Sequence, residues 1–98
     1  MQAPVIAVVD DDLGIRTALR SLLRSVGYSV RVFADAASFL ADAARECPDC
    51  LVTDIQMPGM NGLDLQREVR RHYPGLPVIV VTAFPEEAIR RQALADGA

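Results

Sequence analysis

Val5-Ile6-Ala7-Val8-Val9-Asp10-Asp11-Asp12 sets five apolar residues, four of them β-branched, directly before three acids. An unbroken apolar run of this length is what a strand covered on both faces requires. The period then changes. Ile15, Ala18, Leu19, Leu22, Leu23 and Val26 recur at three- and four-residue steps, with Arg16, Arg20 and Arg24 on the other side. That spacing predicts an amphipathic helix whose apolar stripe packs inward. Gly27 stands where a C′ glycine ends such a helix.

The same alternation continues outward. Ser29 to Phe33 alternates polar with Val30 and Val32, which predicts a half-covered or edge strand. Asp35 is placed to cap a helix carrying Ala36, Phe39, Leu40 and Ala43 on one face. Cys50-Leu51-Val52-Thr53 reads as a third strand ending at Asp54. The breaker-rich loop Met57-Pro58-Gly59-Met60-Asn61-Gly62 follows, with Asn61 as N-cap of a helix to about Arg71. Pro77 to Val81 is a fourth buried strand ending at Thr82, and Pro85 opens a last helix that ends near Gly97. A βαβαβαβα order predicts a doubly wound α/β fold, a parallel sheet with helices on both faces.

Bulk properties narrow the function. The 98 residues suffice for one small domain, and 51% apolar content is enough to build a core. A net charge of -3 argues against a general nucleic-acid binder, which needs a basic face. The apolar run from Val5 to Val9 is too short to span a bilayer, and no secretory signal opens the chain, so a cytoplasmic protein is expected. Cys47 and Cys50 supply only half of a structural zinc set and lead into a strand, so they read as incidental thiols. His72, between Arg71 and Tyr73, reads as solvated helix surface.

Ligand sites in open parallel sheets form at the carboxyl ends of the strands. Here those ends carry Asp10, Asp11 and Asp12 after strand one, Asp54 after strand three and Thr82 after strand four. Clustered carboxylates repel, and a hard divalent cation such as Mg²⁺ relieves the repulsion. A carboxylate beside that cation can attack phosphorus. On this reading Asp54 is the nucleophile, Asp10 and Asp11 are metal ligands, and Thr82 donates a hydroxyl to the transferring group. The alternative reading of any one such acid is a helix cap, and Asp12 fits that role.

Val8-Val9-Asp10-Asp11-Asp12 with Ile15-Arg16, Asp54-Ile55-Gln56-Met57-Pro58-Gly59-Met60-Asn61-Gly62, and Val78-Ile79-Val80-Val81-Thr82-Ala83 together resemble the response-regulator receiver family of two-component signalling. Pro48-Asp49 and Ala95-Asp96-Gly97-Ala98 also fit. Gly27-Tyr28 and Phe39-Leu40 resemble receivers that precede LuxR-type DNA-binding domains. The resemblance implies a flavodoxin-like sheet of strand order 2-1-3-4 and phosphorylation of Asp54 by a sensor histidine kinase. It also implies Mg²⁺ at Asp10, Asp11, Asp54 and the Gln56 backbone carbonyl. Thr82 and the Ala83 amide would contact the phosphoryl group. Such a domain regulates transcription as a phosphoprotein and is not an enzyme beyond gaining and losing its own phosphate.

The family carries a Lys at the end of a fifth strand, followed by a fifth helix; this sequence contains ten Arg and no Lys. A receiver incomplete at its C-terminus is therefore expected over residues 1–98. Strand four would become an exposed edge, which favours a homodimer or a swapped dimer. Two functions follow: a phospho-accepting switch, or a phosphorylation-independent interaction module. A phosphatase is disfavoured because position 56, where an acid/base carboxylate would stand, is Gln.

Overall fold

The computed structural model describes residues 3–55, 57 and 59–81. Gln56, Pro58, Thr82, Ala83 and the helix expected from Pro85 onward lie outside the described residues.

The elements run β1 (Val5–Val9), α1 (Leu13–Ser25), β2 (Ser29–Phe33), α2 (Ala36–Arg45), β3 (Cys50–Asp54), α3 (Gly62–His72) and β4 (Val78–Val81). All strand pairings are parallel and the order is β2-β1-β3-β4. This is the doubly wound, flavodoxin-like order the alternation and the resemblance predict. The apolar β1 lies at the centre, while the polar-alternating β2 is an edge.

Side-chain caps set each helix start. The Asp12 carboxylate accepts from the Ile15 amide, Asp35 accepts from Ser38, and Asn61 accepts from Leu63 and Asp64. Each satisfies amide groups that have no partner within the helix. Asp64 returns a bond to the Asn61 amide, completing a capping box. At the other end of α1, Gly27 adopts φ 104°, the left-handed turn a C′ residue needs.

The main core lies between one sheet face and helices α2 and α3. Ala7, Val9 and Leu51 of the sheet meet Ala36, Phe39 and Ala43 of α2 and Leu65 and Val69 of α3. Phe39 is fully buried and meets Phe33 edge-on at 5.7 Å. Burial of such a ring stabilises by about 1.5–3 kcal/mol.

The opposite face carries Ile6, Val8, Val52 and Ile79, aligned across the strands by register. Helix α1 packs there against β1 and β2. It covers only part of that face, which corrects the expectation of an inward apolar stripe. No α1 residue is buried; Ile15 is 44% and Leu22 60% exposed, and the C-cap residue Val26 is 64% exposed. Leu19, Leu23 and Arg16 are half-buried, so the line turned toward the sheet runs through positions 16, 19 and 23. Arg16 thus faces inward, whereas the helical pattern placed it with Arg20 and Arg24 on the outside. Farther along, Ile79 and Val81 of β4 are 54% and 37% exposed. Among the described residues, β4 pairs with β3 alone. No described helix is long and apolar enough to cross a membrane.

Candidate functional site

β1 and β3 are hydrogen-bonded neighbours with Val9 opposite Thr53. The next residues along, Asp10 and Asp54, therefore emerge side by side at the carboxyl edge of the sheet. Asp11 joins them. Carboxylate oxygens of Asp10, Asp11 and Asp54 all lie within 4.8 Å of one another. Asp10 is buried, Asp54 half-buried and Asp11 exposed, so the cluster opens to solvent on one side. Asp12 is excluded from it, because its carboxylate is spent on the α1 cap.

Asp10 is held at its amide, its carbonyl and one carboxylate oxygen. Its amide donates to the Phe33 carbonyl at 3.1 Å, its carboxylate accepts from the Asp12 amide at 2.9 Å, and its carbonyl accepts from Arg16 Nη1 at 2.8 Å. Burial pushes its carboxyl group above the ordinary range. The Asp12 amide opposes that shift, the charges of Asp11 and Asp12 reinforce it, and Arg16 opposes it. The group is costly to ionise as it stands, so a bound cation would gain affinity by relieving that cost.

Asp54 is fixed through its backbone. The Thr53 hydroxyl donates to the Asp54 carbonyl at 3.1 Å. The Ile55 amide donates to Val81 at 3.0 Å and its carbonyl accepts from Gly62 at 2.9 Å. The loop between Ile55 and Gly62 is thereby stapled at both ends, and Met57 is buried in the main core. Three expected site residues, Gln56, Thr82 and Ala83, lie outside the described residues.

The donor set is all hard oxygen, which suits Mg²⁺ better than zinc or copper. The spacing fits a cation held partly through water, the usual habit of Mg²⁺. The two thiols are not involved: both are free, Cys47 is exposed, and burial pushes the Cys50 thiol up. Cys50 starts β3, at the opposite end from Asp54. Sequence reasoning missed two anchors. One is the inward Arg16; the other is Asp49, whose carboxylate accepts the Val5 amide at 2.7 Å and ties down the start of β1. The Pro48-Asp49 pair was the only hint of the latter.

The sequence profile of the response regulator receiver domain matches residues 6–98. The chain belongs to that family. This receiver is 38% identical over 97 residues to the response regulator protein TodT of Pseudomonas putida strain F1, covering 99% of this chain and 43% of TodT. It is 39% identical over 98 residues to the DNA-binding transcriptional regulator NtrC of Escherichia coli K12, covering 100% of this chain and 21% of NtrC. The chain thus spans less than half the length of these relatives. Among solved structures, the response regulator TrrA of Thermotoga maritima, in complex with Mg²⁺-BeF, superposes with a TM-score of 0.85 at 28% identity, covering 97% of this chain and 81% of that one. The receiver is a signalling domain of two-component response regulators, not a conventional enzyme. The finer resemblance to receivers of LuxR-type regulators finds no support among these relatives, which include NtrC.

Proposed function

We propose that this receiver accepts a phosphoryl group on Asp54 from a phosphohistidine of a sensor histidine kinase, with Mg²⁺ held by Asp10, Asp11, Asp54 and the Gln56 carbonyl. The observation that carries the proposal is the convergence of three carboxylates from two strand ends within 4.8 Å. The complex of TrrA with Mg²⁺-BeF supports the same reading by analogy.

In the transfer, an Asp54 carboxylate oxygen attacks phosphorus and forms the P–O bond. The P–N bond breaks, and the histidine nitrogen leaves with the electron pair. Bound Mg²⁺ would supply charge neutralisation for the phosphoryl oxygens. The chain's own residues do the positioning. Thr53 and Gly62 fix the Asp54 and Ile55 carbonyls, and Asp10 is fixed by the Asp12 amide. Thr82 and the Ala83 amide would donate to the phosphoryl oxygens. Water then returns Asp54 to its carboxylate. The setting is cytoplasmic, and DNA binding belongs to other parts of such regulators.

A second reading, an interaction module that works without phosphate, draws on the exposed Ile15, Leu22, Ile79 and Val81. Incubation with acetyl phosphate and Mg²⁺ followed by intact-mass measurement separates the two. The switch predicts one added phosphoryl mass that disappears with EDTA and in Asp54→Asn. No added mass in the wild type supports the module.

A further inference from the structure

Arg16 sits in the fourth helical position of α1, where a cation opposes the positive end of the helix dipole. The first turn contains no acidic residue to offset it. Yet the side chain is half-buried and turned toward the sheet. Helical side chains lean toward the N-terminus, and this one reaches back past the cap to the end of β1. There its Nη1 donates to the Asp10 carbonyl at 2.8 Å.

That carbonyl oxygen belongs to the peptide linking Asp10 to Asp11. A peptide unit is planar, so fixing its oxygen fixes the plane and both flanking Cα atoms. Asp10 has a second restraint, the Asp12 amide on its carboxylate. Asp11 is exposed, and among the described residues no hydrogen bond reaches its carboxylate.

We propose that Arg16 is a positioning residue for the acidic cluster: its bond to the Asp10 carbonyl holds the Asp10–Asp11 peptide so that both carboxylates face Asp54. The inference rests on the reading of that cluster as the Mg²⁺ site. It makes a prediction opposite in sign to simple electrostatics. A fixed positive charge beside three acids repels a cation, so its removal should tighten Mg²⁺ binding if charge were its only effect. If Arg16 acts by position, removal weakens binding despite the lost repulsion.

The test is calorimetric titration of the full chain with Mg²⁺, alongside Arg16→Met, which keeps the bulk without charge or donor, and Arg16→Lys, which keeps both charge and a donor. Arg16→Met is expected to weaken Mg²⁺ binding by about tenfold, the scale of lost outer-sphere support. Arg16→Lys is expected to recover most of that loss. Unchanged or tighter binding by Arg16→Met overturns the proposal. Thermal melts without Mg²⁺ report whether each variant folds. Should Arg16→Met fail to fold, Arg16→Leu, which also lacks the charge and the donor, decides: weaker Mg²⁺ binding supports positioning, and unchanged or tighter binding overturns it. Failure of the wild type itself to bind Mg²⁺ removes the metal reading, and the role of Arg16 with it.

Discussion

Gly62 lies so close to Asp54 that a Cβ on it would stand 1.9 Å from the Asp54 carbonyl oxygen. The neighbouring carbon would be 2.7 Å away and the Ile55 Cα 2.9 Å. All three are backbone atoms at the end of β3 and cannot swing aside. The start of α3 is thus pressed directly against the strand end that presents Asp54, the proposed phospho-acceptor, and the Gly62 amide closes the contact on Ile55.

Gly62→Ala is expected to lower stability by about 1–3 kcal/mol, the range for forcing extra atoms into a packed site. It should also reduce phosphorylation of the molecules that remain folded, because the strand end must move. Urea denaturation and intact-mass labelling check the two effects. An alanine variant with unchanged midpoint and labelling would contradict the contact.

Asn61→Ala removes the side chain that accepts both the Leu63 and Asp64 amides. Loss of such a cap costs about 1 kcal/mol. Asn61→Asp retains the acceptor and is expected to keep most of the stability. Equal losses in the two variants would show that the cap is not the cause.

Asp35 supplies a pH-dependent part of the stability. Its bond from the Ser38 amide, 2.7 Å long, holds the carboxyl group below the ordinary range when folded. A depressed folded value means the contribution is fully present above the unfolded value, about pH 4. It is lost as pH falls through the lower folded value. Asp35→Asn should therefore be less stable than wild type at neutral pH, with the gap closing as acid is added. Urea midpoints across that range test this; a gap that widens in acid would refute it.

Leu22 on α1 and Ile79 on β4 are each exposed apolar side chains, and together they should promote self-association at high concentration. Combining Leu22→Gln with Ile79→Thr is expected to suppress it while changing stability by only about 0.5 kcal/mol per site. Sedimentation velocity over a concentration series shows whether wild type and variant differ. Identical behaviour would leave those side chains without influence.

Much of this arrangement was legible in the sequence because it rests on short-range signals. The apolar Val5–Val9 run marks β1 at its observed bounds, and Asp12, Asp35 and Asn61 each cap the helix they precede. The strand-end acids follow from topology, since a parallel sheet sends all its strands to one edge. What could not be read depends on which element covers which face. The α1 stripe is apolar by pattern, yet Leu22 and the C-cap residue Val26 are left exposed. Arg16 looks like surface beside Arg20 and Arg24, and only the end of β1 beneath it reveals a carbonyl within reach. Asp49 pairs with Val5 across 44 positions, a distance no local pattern encodes.

The most direct test asks which atom carries the phosphoryl group. After incubation with acetyl phosphate and Mg²⁺, borohydride reduction converts an aspartyl phosphate to homoserine, and tandem mass spectrometry locates it. Homoserine at position 54 alone, lost when Mg²⁺ is withheld, is the predicted result. Homoserine at another aspartate, or phosphorylated protein with none at position 54, would contradict the account.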